Sequence, residues 1–222
     1  MKRKDFLTSA GLASLLPLLG TGSGLQEQPG KERVLRIAHI TDVHLHNNPE
    51  DPYSAPKGLE RCLHHLQSQE DPPDIIFNGG DSIDDALAEG RTGVKKQWNL
   101  WHRILKQENS LPVVHCIGNH DVWGQGPKSA PLYGKKWAME AMELERRFYS
   151  FDRAGWHVIV LDSTHTVDGE WYTARLDEEQ FQWLKHDLEQ VPEQTPVFVL
   201  SHIPIMCAAA FFDGDNEKRA TG

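Results

Sequence analysis

Val113-Val114-His115-Cys116-Ile117-Gly118-Asn119-His120-Asp121 carries an apolar run straight into a glycine and three polar side chains. The first five residues read as a short buried strand. The glycine lets the backbone turn. Asn119, His120 and Asp121 then project together from the C-terminal end of that strand, the end at which α/β sheets bind ligands. Three further polar clusters close comparable runs: Asp42-Val43-His44, Gly79-Gly80-Asp81 and Ser201-His202. The four loops are expected to converge on two metal ions.

Outward from this stretch, the order of elements predicts an α/β domain. Val34 to Thr41 reads as a strand that delivers Asp42 and His44 into the loop 46–56. Leu59, Cys62, Leu63 and Leu66 fall at i, i+3, i+4, i+7, one apolar helical face, with His64 and His65 on the solvated side. Asp71-Pro72-Pro73 breaks that helix. Asp74 to Asn78 is the next strand and ends in Gly79-Gly80-Asp81. Residues 94–107 form a second helix with Val94, Trp98, Trp101 and Leu105 on one face and His102 as a packing or surface residue. After the central loop, residues 124–134 are a Gly- and Pro-rich surface loop, and Lys135 to about Arg147 reads as a helix. Phe148 to Asp152, a turn at Arg153-Ala154-Gly155, and Trp156 to Asp162 predict two antiparallel strands. Residues 163–175 read as a polar loop. Asp177-Glu178-Glu179-Gln180 reads as a capping box opening a helix that buries Phe181, Leu184 and Leu188. Pro196 to Leu200 is a last strand, ending at Ser201-His202. Strands first alternate with helices and then form a hairpin, which indicates layered α/β architecture with some antiparallel sheet.

Composition narrows the function. The 222 residues suffice for one ordinary domain, and 39% apolar with 25% charged residues describe a globular chain. A formal charge of −9 with no basic patch argues against nucleic-acid binding. An acidic protein can still receive a phosphate, because bound cations invert the local field. Cys62, Cys116 and Cys207 match no zinc or disulfide spacing, and Cys116 reads as a small buried apolar residue. Met1-Lys2-Arg3-Lys4, the apolar Leu12 to Leu19 and the small residues Thr21 to Gly24 have a signal-peptide layout, too short to span a bilayer. Arg3-Lys4-Asp5-Phe6-Leu7 resembles a twin-arginine export signal with Lys4 at the second arginine. Export, most simply to a periplasm, is therefore expected from residues 1–30, signal peptide and linker, ahead of a domain from 31 to 222. No cysteine follows the apolar run, so no stable membrane anchor is indicated. Oligomeric state leaves no mark in the sequence.

The loops define a chemistry. Asp and His at i, i+2 on an extended segment point to one side, so Asp42 and His44 could grip one cation. Asp81 can bridge two cations, Asn119 offers an amide oxygen and His202 an imidazole. Mixed N and O donors suit Zn, Mn or Fe. A dinuclear site orients a phosphoryl group, activates a bridging water and neutralises charge. His120 can protonate the leaving oxygen. Asp121 either orients that imidazole or caps a turn. His46 reads as an exposed loop residue, with a place near the site mouth as the alternative. His39, His115, His157, His165 and His186 match no motif position. A dinucleotide-binding reading fails because no G-x-G-x-x-G opens a helix after the first strand.

Asp42-x-His44, Gly80-Asp81, Gly118-Asn119-His120-Asp121 and His202 together resemble the calcineurin-like metallophosphoesterase superfamily, over about residues 35 to 204. Leu161-Asp162-Ser163 with Leu176, Gln180 and Trp183-Leu184 is similar to its cyclic-nucleotide phosphodiesterase-like branch. The resemblance implies a four-layer α/β/β/α sandwich of two mixed sheets. It implies two divalent or trivalent metal ions (Fe, Mn or Zn), one held by Asp42, His44 and Asp81 and the other by Asp81, Asn119 and His202. It also implies His120 as general acid, a metal-bridging hydroxide as nucleophile, and a small phosphomonoester or phosphodiester as substrate. The family pattern closes with Gly-His-x-His, and the chain holds no Gly-His dipeptide. On that ground the domain is expected to be cut short, with a ligand missing from each metal and strands missing from the second sheet. His165 is the candidate stand-in. The alternative expectation is a catalytically impaired metal- or ligand-binding protein.

Overall fold

Alternation along one strand builds the layers. In β2, Ile75 and Phe77 face one way while Ile76 and Asn78 face the other, and all four are buried. A strand covered on both faces belongs to the middle of a layered α/β fold. The computed structural model describes residues 33–46, 48, 55–167 and 170–205. Its elements in chain order are β1 (Ile37–Ile40), α1 (Ala55–Gln67), β2 (Ile75–Asn78), α2 (Arg91–Glu108), β3 (Val113–His115), α3 (Lys136–Ala141), β4 (Tyr149–Arg153), β5 (Trp156–Leu161), β6 (Thr164–Val167), β7 (Glu170–Ala174), α4 (Glu178–Gln190) and β8 (Val197–Ser201).

The first sheet has the order β1-β2-β3 and is parallel at both pairings. The second has the order β4-β5-β8, with β4 antiparallel and β8 parallel to β5. Ile75, Phe77, Val114 and Cys116 of the first sheet pack against Val158, Val160 and Leu200 of the second, which makes the two sheets face each other. On the far side of the first sheet, Ala38 and Ile76 meet Leu59 and Leu63 of α1 and Val94, Trp98, Trp101 and Ile104 of α2. On the far side of the second, α4 docks through Asp187 and Trp183. The expected α/β/β/α sandwich is the observed one. Among the described residues its first sheet is parallel rather than mixed.

Several boundaries differ from the sequence reading. The helix expected from Lys135 to Arg147 stops at Ala141. There Glu143 adopts φ 56°, and the N–H groups of Leu144 and Glu143 return to the carbonyls of Met139 and Glu140 at 2.8 and 3.3 Å. This Schellman closure usually carries a glycine, and with Glu in that place the sequence shows no stop. The polar loop 163–175 instead holds the hairpin β6–β7. In α4 the expected apolar face is only partly covered: Leu184 is half-buried, but Phe181 and Leu188 are 54% and 42% exposed, whereas Gln180 is fully buried. The turn between β4 and β5 falls as expected, on Ala154 (φ 51°) and Gly155 (φ 79°), a two-residue turn whose twist matches its strands. The leader segment 1–30, most of the loop 46–56 and residues 206–222 lie outside the described residues. No helix among the described residues is long and apolar enough to cross a membrane.

Candidate metal centre

The parallel sheet ends on one edge, and its pairing continues past the strands. Asp42 and His44 donate backbone N–H groups to Gly80 O and Asp81 O, each at 3.0 Å. In that stretch Asp42, His44 and Asp81 all adopt left-handed backbone, with φ of 54°, 47° and 51°. Each such conformation costs a non-glycine residue about 1 kcal/mol or more, and strain of this kind clusters at functional sites. The extended geometry expected for Asp42-x-His44 is therefore absent. The two side chains still converge, His44 Nε2 lying 3.9 Å from Asp42 Oδ1, because the backbone coils rather than alternates.

Asp81 is the hub. Its Oδ1 accepts the backbone N–H of His120 at 2.8 Å, which turns Oδ2 toward His44 Nε2 at 3.6 Å and His202 Nε2 at 3.3 Å. Burial, the largest single influence, pushes the Asp81 carboxyl up. The hydrogen bond and charge of His202 and the His120 N–H outweigh it and hold the carboxyl below its ordinary range. His202 is likewise pushed down by burial but raised overall by Asp81. Its Nδ1 donates to Gly79 O at 2.9 Å, so its Nε2 is the nitrogen presented to Asp81 and to Asn119 Oδ1 at 3.1 Å. The loops approach so closely that side chains would not fit. A Cβ on Gly80 (φ 102°) would stand 2.7 Å from Gly118 N, and one on Gly118 would collide with Asp81.

The donors fall into two groups that share Asp81. His44, Asp81 and His120 form one; Asp42, Asp81 and His202 form the other. The sharing of Asp81 matches expectation, but His120 stands in the first group, where the sequence reading put Asp42. Asn119 sits against His202, within reach of the second group. The set suits metal ions: carboxylate, amide and imidazole groups converge on one another, and such mixed N and O donors are what Zn, Mn or Fe take. His165 belongs to neither group and lies in β6 rather than in a loop.

Asp121 does not orient His120. Its Oδ1 accepts the N–H groups of Ser82 and Ile83 at 2.9 and 3.3 Å, and its Oδ2 that of Gly118 at 2.9 Å. It caps both loops, the second of the two alternatives. Complete burial raises its carboxyl to about 7 against those three donors. The His120 imidazole instead donates from Nδ1 to the Asp84 carbonyl at 2.5 Å. The Asp84 carboxylate stands 3.8 Å from His44 Nδ1. Sequence reasoning missed Asp84 because it lies three residues past Asp81 in a turn with no periodicity to flag it. Asp84 also borders a cleft of about 350 Å³ lined by His46, Glu89, Lys96 and Gln97, which brings His46 beside this turn.

The calcineurin-like phosphoesterase family matches residues 35–220. A relative named purple acid phosphatase 22, from Arabidopsis thaliana, is 33% identical over 54% of this chain and 28% of its own length. A relative named 3',5'-cyclic-nucleotide phosphodiesterase, from Nostoc sp., is 27% identical over 81% of this chain and 60% of its own. The chain thus spans less than two thirds of either relative. A phosphopantetheinyl hydrolase structure from Mycobacterium tuberculosis aligns with a TM-score of 0.47 at 12% identity, over 82% of this chain and 73% of that one.

Proposed function

Because the chain belongs to the calcineurin-like phosphoesterase family, we propose that it hydrolyses small phosphoesters, monoester or diester, at a centre of two metal ions. One observation carries the reading: a single buried carboxylate oxygen, Asp81 Oδ2, faces His44 Nε2 and His202 Nε2 at 3.6 and 3.3 Å, the arrangement two cations sharing one ligand require. The two ions, drawn from Fe, Mn or Zn, would share Asp81, with His44 on one side and Asp42, Asn119 and His202 on the other. When bound, the ions supply Lewis acidity at the phosphoryl group and offset its charge.

The chain's own groups do the rest. The Gly79 carbonyl keeps His202 Nε2 turned inward. The His120 N–H fixes which Asp81 oxygen is free. His120, anchored through Nδ1, presents Nε2, and its imidazolium hands a proton to the departing alkoxide. The glycines at 80 and 118 keep the loops close enough for these groups to meet.

The test is hydrolysis of p-nitrophenyl phosphate and bis-p-nitrophenyl phosphate with Mn, Zn or Fe supplied. Asp81→Ala should abolish turnover, and a chelator should abolish it in the wild type until metal is restored. On the matching phenyl esters, whose leaving group needs the proton, His120→Ala should slow turnover roughly 10²- to 10⁴-fold, the usual weight of a general acid. Unchanged rates in both variants overturn the reading. Residues 1–30 we propose as an export signal; a fused reporter that works only outside the cytoplasm stays silent if that is wrong.

A further inference from the structure

Gln97 lies on α2, outside every cluster that signals chemistry, yet its amide is buried and spent on one task. Its Oε1 accepts two backbone N–H groups, those of Asp84 at 3.1 Å and Asp85 at 3.2 Å. The turn it holds is bound to His120 twice over. The Asp84 carbonyl accepts the His120 Nδ1–H at 2.5 Å, and the Ala86 N–H donates to the His120 carbonyl at 2.8 Å. The same turn places the Asp84 carboxylate 3.8 Å from His44 Nδ1. An unbroken chain of contacts therefore runs from a rigid helix to the imidazole: Gln97 amide, Asp84–Asp85 backbone, Asp84 carbonyl, His120 ring. The carbonyl has no proton to give, so the bond assigns the proton to Nδ1 and leaves Nε2 as the working nitrogen.

We infer that Gln97 is a positioning residue for His120, acting through the Asp84 carbonyl; the inference rests on the proton-donor role proposed for His120. A side chain that only fills space would not need two convergent acceptor contacts on consecutive N–H groups. Losing them frees the turn and lets the imidazole rotate away from the leaving group.

Two measurements on the metal-loaded protein decide it. In the first, phenyl and p-nitrophenyl esters of the same phosphate are compared, since the phenyl leaving group needs the proton and p-nitrophenolate hardly does. Gln97→Met, of similar shape but lacking the acceptor, should lower kcat for the phenyl ester about 10- to 100-fold. The nitrophenyl ester should lose less than about threefold and KM should hold for both. Gln97→Glu, which keeps an acceptor oxygen, should restore the phenyl rate. An equal fall on both esters, or no rescue, overturns the inference.

The second measurement does not depend on turnover. The low-field Nδ1–H proton of His120, assigned by its absence in His120→Gln, should vanish from the NMR spectrum of Gln97→Met and persist in Gln97→Glu. Its persistence in Gln97→Met overturns the inference even in an inactive protein. Absence of turnover in the wild type would instead overturn the proposed function. Should Gln97→Met fail to fold, Gln97→Asn, one methylene short of both N–H groups, makes the same comparison.

Discussion

The two helical layers of this sandwich are attached to their sheets by different physics. α1 and α2 bury Leu63, Val94, Trp98, Trp101 and Ile104 against the parallel sheet. α4 is fastened to the second sheet mainly by polar groups. Gln180 spans the Asp162 backbone, accepting its N–H at 2.7 Å and donating to its carbonyl at 2.8 Å. Asp187 receives Ser150 Oγ at 2.5 Å and His157 Nε2 at 2.8 Å. Arg147 joins Asp177, at the helix start, to the buried Asp162. An aromatic contact, Phe148 on Trp183 with centroids 4.9 Å apart, sits beside that ion network. A helix seated by area tolerates changes in ionisation, whereas one seated by directed bonds depends on each partner staying in place.

The largest expected effect tests the first layer. Trp101→Ala should lower the unfolding free energy by about 3–5 kcal/mol, because a large, fully buried ring leaves a cavity the sheet cannot close. Urea melts read by far-ultraviolet circular dichroism measure it, and a loss under about 1 kcal/mol would show that this layer is not held by packing. Next in size is Gln180→Met. The volume is kept but the buried N–H and C=O of Asp162 lose their partners, for about 1–3 kcal/mol. A neutral result would remove the contrast between the layers.

Acid and base should pull on the two layers in opposite senses. His115 on β3 is held low, to about 4, by burial first and by the nearby His102 charge second. Its unfolded value is about 6.5. The folded state therefore refuses a proton that the unfolded chain takes, and stability is lost as pH falls from about 6.5 toward 4. His157 is pushed down by burial but raised overall by Asp187 and Asp152, which flank its ring at 2.8 and 2.7 Å. Its contribution is full below about 6.5 and disappears as pH rises through the raised value. Melting temperature against pH should flatten on the acid side in His115→Gln and on the alkaline side in His157→Gln. The same flank flattening in both variants would refute the assignment.

How much of this was legible follows the same division. The convergence of Asp42, His44, Asp81, Asn119, His120 and His202 was legible, because polar residues closing successive strands of one parallel sheet meet at one edge, and the glycines there allow the loops to approach. The faces of α1 and α2 were legible because area burial leaves a 3.6-residue period. Asp84 and Gln97 were not, since one acts through its carbonyl and the other through an amide that meets backbone 12 and 13 residues away. α4 was misread for a related reason. Asp177 caps it as expected, its Oδ1 accepting the Gln180 N–H at 3.0 Å. The Gln180 side chain, expected to complete the box, reaches across to Asp162 instead. That rotates the helix, so that Phe181 and Leu188 leave the sheet.

The smallest expected effect tests that rotation most directly. If α4 were seated by its apolar period, Phe181→Ser would remove a buried ring and cost about 3 kcal/mol or more. In the observed register Phe181 and Leu188 face outward, and Phe181→Ser with Leu188→Ser should change the unfolding free energy by no more than about 0.5 kcal/mol per site. Gln182 and Glu178, which hydrogen-bond each other at 2.7 Å on the exposed surface, provide a control for substitutions that touch nothing buried. Apolar-to-serine changes that match this control place the helix on its polar links. Losses of several kcal/mol place it on the apolar face the sequence pattern suggests, and the contrast between the two layers would then fail.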